Sequence, residues 1–238
     1  MSHQSIESKS ESWKMFDRIS PRYDLLNHVL SFGQDIPWRR RMSSFLKNDS
    51  GQTVLDLAAG TADVLLILFE QKKDLKKGIG IDLADKMLEI GRKKILKKGL
   101  TERIQLRHGD IRVLPFDHST FDVATIAFGI RNVPEPREVL QEMFRVLKNG
   151  GRALILEFSL PENRLIRGGY LFYLRQIVPL LGFLLSKEYQ AYRYLNQTIE
   201  LFPYGETFCR MMQEAGFDHT KAHPMMFGSA TIYQGDKP

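Results

Sequence analysis

With 238 residues, 43% hydrophobic and 26% charged, the chain fits one globular domain with a sizeable core and is too short for two independent ones. Its single cysteine, Cys209, excludes an intrachain disulfide, and no C-x-x-C or clustered Cys/His pattern offers a metal site, so a reducing, cytoplasmic setting is expected. The formal charge of +6 gathers in lysine clusters, Lys72, Lys73, Lys76, Lys77 and Lys93, Lys94, Lys97, Lys98, whose helical spacing suits a solvated face better than a nucleic-acid groove.

In chain order, the opening MSHQSIESKSESWKMFDRIS lacks the continuous apolar core of a secretory signal, and residues 1–10 read as a frayed tail. Residues 11–47 look helical and carry Trp13, Phe16, Tyr23, Phe32 and Trp38, as a lid over a ligand edge would. From residue 53 the pattern alternates. TVLDL (53–57), GIGID (78–82), RIQLRH (103–108), FDVATIAF (121–128) and RALILEF (152–158) read as strands, several apolar on both faces as in a parallel sheet covered by helices. Between them, Asp85 is placed to cap a helix running to about Lys98. A second helix, Glu135 to Lys148, puts Val139, Met143 and Leu147 on one stripe, with Lys148, Gly150 and Gly151 as its stop signals. The alternation predicts a Rossmann-like, doubly wound α/β sheet over 53–159, inside a single domain spanning the chain. Residues 164–200 add an apolar, aromatic insertion, which Arg167, Arg175 and Pro179 interrupt before 18 apolar residues accumulate. A helix over 204–215, stopped at Gly216, and a strand pair complete the chain.

In a doubly wound sheet the ligand lies beyond the carboxyl ends of the strands, beside the first strand. There the chain reads VLDLAAGTAD (54–63), and Ala58, Ala59, Gly60, Thr61 and Ala62 leave little bulk between a ligand and the backbone. The dinucleotide pattern G-x-G-x-x-G is absent, so no glycine-built pyrophosphate cradle is expected. The small-residue turn suits S-adenosylmethionine, which carries ribose and a charged amino acid but no phosphate. Asp82, ending GIGID, is placed to accept from both ribose hydroxyls, and Asp110 beside Ile111 from an adenine amino group. Asp56 either orders the turn or faces the ligand's ammonium. Taken singly, each carboxylate reads equally as a helix cap or a loop charge; three at successive strand ends favour ligand binding.

Several longer stretches carry a resemblance: YDLLNHVLSFG (23–33), GIRNVP (129–134), RVLKNGGRALILEFS (145–159), PLLG (179–182), YRYL (192–195) and GETFCRMMQEAGF (205–217). On these, from about Phe16 to Lys237, the chain resembles the class I S-adenosylmethionine-dependent methyltransferases, and within them the menaquinone/ubiquinone biosynthesis C-methyltransferase family of UbiE type. It departs from that family's pattern at Asp35 and Ile36 (His and Arg), Ala62 (Gly), Asn149 (Pro) and Ala127 (Ser). With Ala127 at the end of the fourth strand, the donor set is Asp56, Ala58, Gly60, Thr61, Asp82, Asp110, Ile111 and Ala127.

The resemblance implies a polyprenylated quinol acceptor methylated on a ring carbon, demethylmenaquinol first and a 2-methoxy-6-polyprenyl-1,4-benzoquinol as the alternative. Such a carbon is a good nucleophile only when a neighbouring hydroxyl is deprotonated, and moving a phenol from about 10 to about 7 takes roughly 4 kcal/mol. Arg131, always protonated, is the candidate for stabilising that oxyanion, with Asn132 and Tyr23 orienting the acceptor oxygen. The competing reading makes Arg131 and Asn132 a loop turn with a surface ion pair, and Tyr23 a core aromatic.

Leu171, Phe172, Leu174, Ile177, Val178, Leu180, Leu181, Phe183, Leu184 and Leu185 of the insertion suit an isoprenoid tail or a membrane surface. Flanking Arg164, Arg167, Arg175 and Lys187 favour anionic headgroups. Burial in the core or in a homodimer interface is the alternative. A basic RNA-binding module, the reading from a different class, requires basic and aromatic groups converging on the sheet edge, and the lysine clusters lie on helices away from it.

Overall fold

The computed structural model describes residue 9 and residues 11–47, 49–72, 74–186 and 189–238, by backbone alone at 183–186 and 189–192. The tail at 1–8 and 10, Lys73, Lys187 and the side chains of Phe183, Leu184 and Leu185 lie outside the described residues. Among the described residues, seven strands form one sheet: β1 (Thr53–Leu57), β2 (Lys77–Asp82), β3 (Ile104–His108), β4 (Phe121–Ala127), β5 (Leu147–Phe158), β6 (Asp218–Met225) and β7 (Ala230–Asp236). Their order is β3-β2-β1-β4-β5-β7-β6. The first five pair in parallel, while β7 runs antiparallel to both β5 and β6, which makes the sheet mixed. The chain winds outward through β1, β2 and β3 and then returns to lay β4 against β1, Leu57 opposite Ile126. The switch point therefore opens beyond Leu57 and Ala127.

The apolar residues of the central strands face both ways, and each face has its own core. On one side Leu55, Leu57, Ile81 and Ile126 pack with Val139, Leu140 and Met143 of α6 (Pro136–Val146) and Phe208 and Met212 of α10 (Glu206–Glu214). On the other, Val54, Leu154 and Leu156 meet Trp38 and Met42 of α3 (Asp35–Ser43), Leu65 and Leu68 of α4 (Asp63–Gln71), and Leu88 and Ile95 of α5 (Asp85–Lys97). The stretch 11–47, expected to act as one lid, thus divides. Its last helix belongs to the core, with Trp38 only 5% exposed, while α1 (Ser12–Ile19) and α2 (Tyr23–Leu30) approach the switch point. Two carboxylates tie these helices down: Asp17 accepts from the Lys86 backbone N–H at the start of α5 (3.0 Å), and Asp24 accepts from Thr61 Oγ1 (2.8 Å).

Two terminal signals act differently from expectation. Asp85 is the first residue of α5 rather than its cap, and its carboxylate sits 3.0 Å from His108 Nδ1. The helix before β5 stops at Val146. Gly150 and Gly151 fall instead in the irregular start of β5, where backbone bonds to Lys237 continue the pairing with the chain's end. The insertion folds as α7 (Arg164–Phe172), a π turn (Tyr173–Ile177), α8 (Val178–Ser186) and α9 (Tyr189–Leu201). Leu174, Val178 and Ile199 form a third small core with Leu26 of α2, and Tyr173 donates to the Leu30 carbonyl at 2.8 Å. Among the described residues, no helix is long and apolar enough to cross a membrane.

Candidate active site

The turn after β1 bends through left-handed backbone at Ala58 (φ 51°), Gly60 (φ 52°) and Ala62 (φ 67°). This winding aims the Gly60 N–H at Asp82 Oδ2 (2.8 Å), while the Ala84 N–H reaches Asp82 Oδ1 (2.8 Å). The Asp82 carboxylate is therefore fixed in orientation by two backbone donors, with lone pairs to spare. Burial raises its pKa, and those same N–H groups oppose the rise.

One cavity opens here, and it brings together Ala58, Gly60, Asp82, Asp110, Ile111 and Ala127 with Tyr23 and Asn132. The close approach is built into the backbone: a Cβ on Gly129 would lie 2.6 Å from that of Ala58. Two expected donor residues are not on its wall. Thr61 turns away, donating to Asp24 and accepting from Lys94 Nζ (3.0 Å), because the winding at Ala62 carries it behind the turn. Asp56 lies inside β1, 1% exposed, with Oδ1 accepting from Thr125 Oγ1 (2.6 Å) and Oδ2 without a partner among the described residues. Desolvation pushes Asp56 up to about 7, against the Thr125 bond. Asp110 does face the cavity, but the Arg112 guanidinium and backbone N–H hold its carboxylate, at 2.6 Å for Nη2 to Oδ2, and keep it below the usual carboxylate range.

A second cavity adjoins the first, sharing Phe16, Tyr23, Phe128 and Asn132 with it. Its wall is mainly apolar, with Met15, Leu26, Leu30, Phe158 and Leu195, and its polar residues include Arg131, Asn132, Asn27, Ser31 and Asp35. Arg131 belongs to this cavity and is 4% exposed. Its Nη1 donates to Glu157 Oε1 (2.7 Å) and to the Phe128 carbonyl (2.5 Å), and the guanidinium lies 5.2 Å over the Phe158 ring. Asn132 Nδ2 donates to the same carbonyl at 3.3 Å, leaving Asn132 Oδ1 and Arg131 Nε as buried atoms without partners among the described residues. Burial raises the pKa of the Tyr23 hydroxyl, opposed first by its bond to Asn27.

Sequence reasoning missed Glu157. It is fully buried, and burial drives its pKa up while Arg131 draws it down. The signal was present in ALILEF: a carboxylate inside a strand apolar on both faces must find a buried cation. The Asp35–Arg39 pair of α3 (3.0 Å) was missed too, although its i,i+4 spacing is visible in the sequence.

A model of the ubiE/COQ5 methyltransferase family matches residues 4–237. The chain belongs to this family. A UbiE-named ubiquinone/menaquinone biosynthesis C-methyltransferase of Geobacter sulfurreducens is 43% identical over 223 residues, 94% of this chain and 87% of that protein. Demethylmenaquinone methyltransferases of Bacteroides fragilis (39% identical, 94% and 91% covered) and Thermus thermophilus (41%, 94% and 100%) are similarly close. Among solved structures, a possible histamine N-methyltransferase of Thermotoga maritima superposes with TM-score 0.65 at 19% identity, over 95% of this chain and 99% of that one, which shows the fold alone.

By its family the protein is thus a methyltransferase, and S-adenosylmethionine is its cofactor. The residues present suit that molecule: a bare turn, a carboxylate pre-oriented on two N–H groups, and a cavity that brings both together.

Proposed function

We propose that this member of the ubiE/COQ5 family methylates a ring carbon of demethylmenaquinol to give menaquinol. The observation that carries the reading is the pair of adjoining cavities, one ending on the turn after β1 and the end of β2, the other mainly apolar with Arg131 on its wall, and Asn132 shared by both. S-adenosylmethionine supplies an electrophilic methyl group on a sulfonium when bound.

The chain's own residues prepare the acceptor. Asp82, with Gly60 and Ala58 beside it, holds the nucleoside; Asp110 and Ile111 flank the base end, where Arg112 already shares the carboxylate. Arg131 Nε offers an unused N–H to the acceptor's oxyanion, and Asn132 Oδ1 accepts from a hydroxyl. Glu157 neutralises much of Arg131's charge at a distance, so the pair acts as a directed donor rather than a bare cation. Tyr23 and Phe16, on both cavities, hold the ring in line with the donor. The test is methyl transfer from labelled donor to demethylmenaquinol against a demethylated benzoquinol; label entering only the benzoquinol would reverse the assignment.

We further infer that the insertion meets a membrane surface peripherally. Leu165, Phe172 and Leu180 are 87%, 63% and 55% exposed, and Arg164 and Arg167 stand among them. Binding to vesicles of anionic lipid that salt partly releases supports this. No binding, with a dimer in solution instead, would assign the face to a second copy.

A further inference from the structure

Methylation at a ring carbon releases one proton overall: the carbon that gains the methyl loses its hydrogen, and both hydroxyls end as they began. In a cavity roofed by helices, that proton needs a way out. Arg131 cannot take it because a guanidinium is already protonated, and the Asn132 carboxamide is not a base.

Asp35 lies on a wall common to two spaces. It lines the acceptor cavity, and it also lines an open groove on the far side, between α2, α3, α4 and α5. Its own exposure is 6%. The carboxylate is held from three directions: Ser31 Oγ donates to Oδ1 (3.2 Å), Arg39 Nη1 donates to Oδ2 (3.0 Å), and His28 Nδ1 lies 3.0 Å from Oδ1. Ser31 also lines the acceptor cavity, whereas the His28 side chain, 53% exposed, lines the groove. An acid–base pair therefore passes from the buried cavity to solvent, on helices outside the donor site.

We propose that Asp35 and His28 form the route by which the acceptor's proton leaves the cavity. The proton breaks from the acceptor and forms an O–H bond on Asp35. That bond breaks as the proton passes to His28 Nδ1, and the imidazolium then releases its Nε2 proton to water. No electron is transferred; the carboxylate is regenerated, and the imidazole, left as its Nδ1–H tautomer, returns to the Nε2–H form by proton exchange with water at its half-exposed ring. Arg39, stacked 5.3 Å over Phe128, fixes the carboxylate's orientation, so Asp35 relays the proton along one direction.

Most other charges of the groove are paired among themselves. Asp24 of α2 and Asp63 of α4 are both bridged by Lys94 of α5, the latter at 2.6 Å, and Lys98 lies 3.9 Å from Glu70. Arg40 of α3 and Lys97 of α5 are the remaining charged groups on the groove wall.

The relay rests on the quinol reading above, so the experiment begins with the parent chain and both quinols. Failure of the parent to methylate either one overturns that reading; variant behaviour on an active parent decides the relay. In single-turnover assays of the full chain, His28→Ala should lower the rate at least about tenfold. Its melting temperature and its affinity for S-adenosylhomocysteine should stay parental. The variant's rate should rise with added imidazole, and its pH–rate profile should differ from the parent's. Asp35→Asn should lower the rate without imidazole rescue. If Asp35→Asn fails to fold, the His28→Ala rescue decides alone. Parental turnover and pH profile in His28→Ala, or a loss that imidazole does not restore, would make the pair a staple between α2 and α3 and overturn the proposal.

Discussion

The two adjoining cavities are built by different means. The donor cavity rests on strand ends, where parallel hydrogen bonding fixes Leu57, Asp82 and Ala127 relative to one another before any side chain is chosen. The acceptor cavity is walled by α1, α2, α9 and two phenylalanines, and it is held by a buried ion pair and helix packing. Backbone geometry tolerates side-chain change; a cavity made of side chains does not. Mutations should therefore alter affinity on the donor side and stability together with turnover on the acceptor side.

The largest effect should come from the acceptor wall. Glu157→Ala leaves Arg131 charged and unpaired at 4% exposure, which should destabilise the fold by about 3–5 kcal/mol in urea unfolding. Replacing both partners, as Arg131→Met with Glu157→Leu, should recover most of that stability while turnover stays down by about a hundredfold or more. If the double variant regains turnover along with stability, Arg131 serves packing alone.

On the donor side, Asp82→Ala should leave the fold standing and weaken S-adenosylmethionine by about 2–3 kcal/mol, because charge-assisted bonds to two hydroxyls vanish. Isothermal titration reads this directly. Because Asp82 also takes the Gly60 and Ala84 N–H groups, Asp82→Asn, which keeps an acceptor there, should lose less than alanine. Equal binding by parent and alanine variant would remove Asp82 from the nucleoside contacts.

The contrast also explains what could be read in advance. The β1 bounds were legible to the residue, and β2, β3 and β4 to within one, since apolar runs between turn signals set them. From those ends the positions of Asp82, Asp110 and Ala127 follow by fold geometry. Thr61 did not follow, because a turn's sequence does not say which way each side chain leaves it, and left-handed backbone at Ala62 decided that. Glu157 and Asp35 were visible as charges, but Arg131 is 26 residues from Glu157, and the Asp35–His28 contact depends on how α3 folds back on α2. Tertiary contacts of this kind have no periodic signature in the sequence. The apolar insertion read as a tail or membrane surface, yet Leu174 and Val178 face a small core with α2, since a face with period near four residues serves either purpose.

A third test lies beneath the donor cavity. Burial holds Asp56 up at about 7, above its ordinary value near 4, so folding favours its protonated form. The stability this contributes is complete at low pH and is lost as pH rises through about 7, with a slope of at most about 1.4 kcal/mol per pH unit. Asp56→Asn keeps an oxygen for Thr125 and should flatten stability between pH 4 and 7 while raising it at pH 8. An unchanged pH profile would mean that Asp56 is already compensated.

The smallest effect should come from the turn itself, at Ala62, whose left-handed backbone suits glycine. Ala62 sits at φ 67°, ψ 17°, at the start of α4, a conformation that costs an L-residue about 1–2 kcal/mol and glycine almost nothing. Ala62→Gly relieves that strain. It also removes a fully buried methyl, which a Cβ on Gly91 would approach within 3.3 Å, and it loosens the unfolded chain. Those two losses are each of order 0.5–1 kcal/mol, so they offset the relief, and the net change in unfolding free energy should stay under about 1 kcal/mol. Cofactor affinity should be parental, because the turn's contact with the cavity runs through Ala58 and Gly60 rather than Ala62. A gain well beyond that limit would show that the turn stores strain which packing does not offset. A large loss of affinity would show that the methyl, not the backbone, shapes the donor cavity, and the distinction between the two walls would fail where it is drawn most sharply.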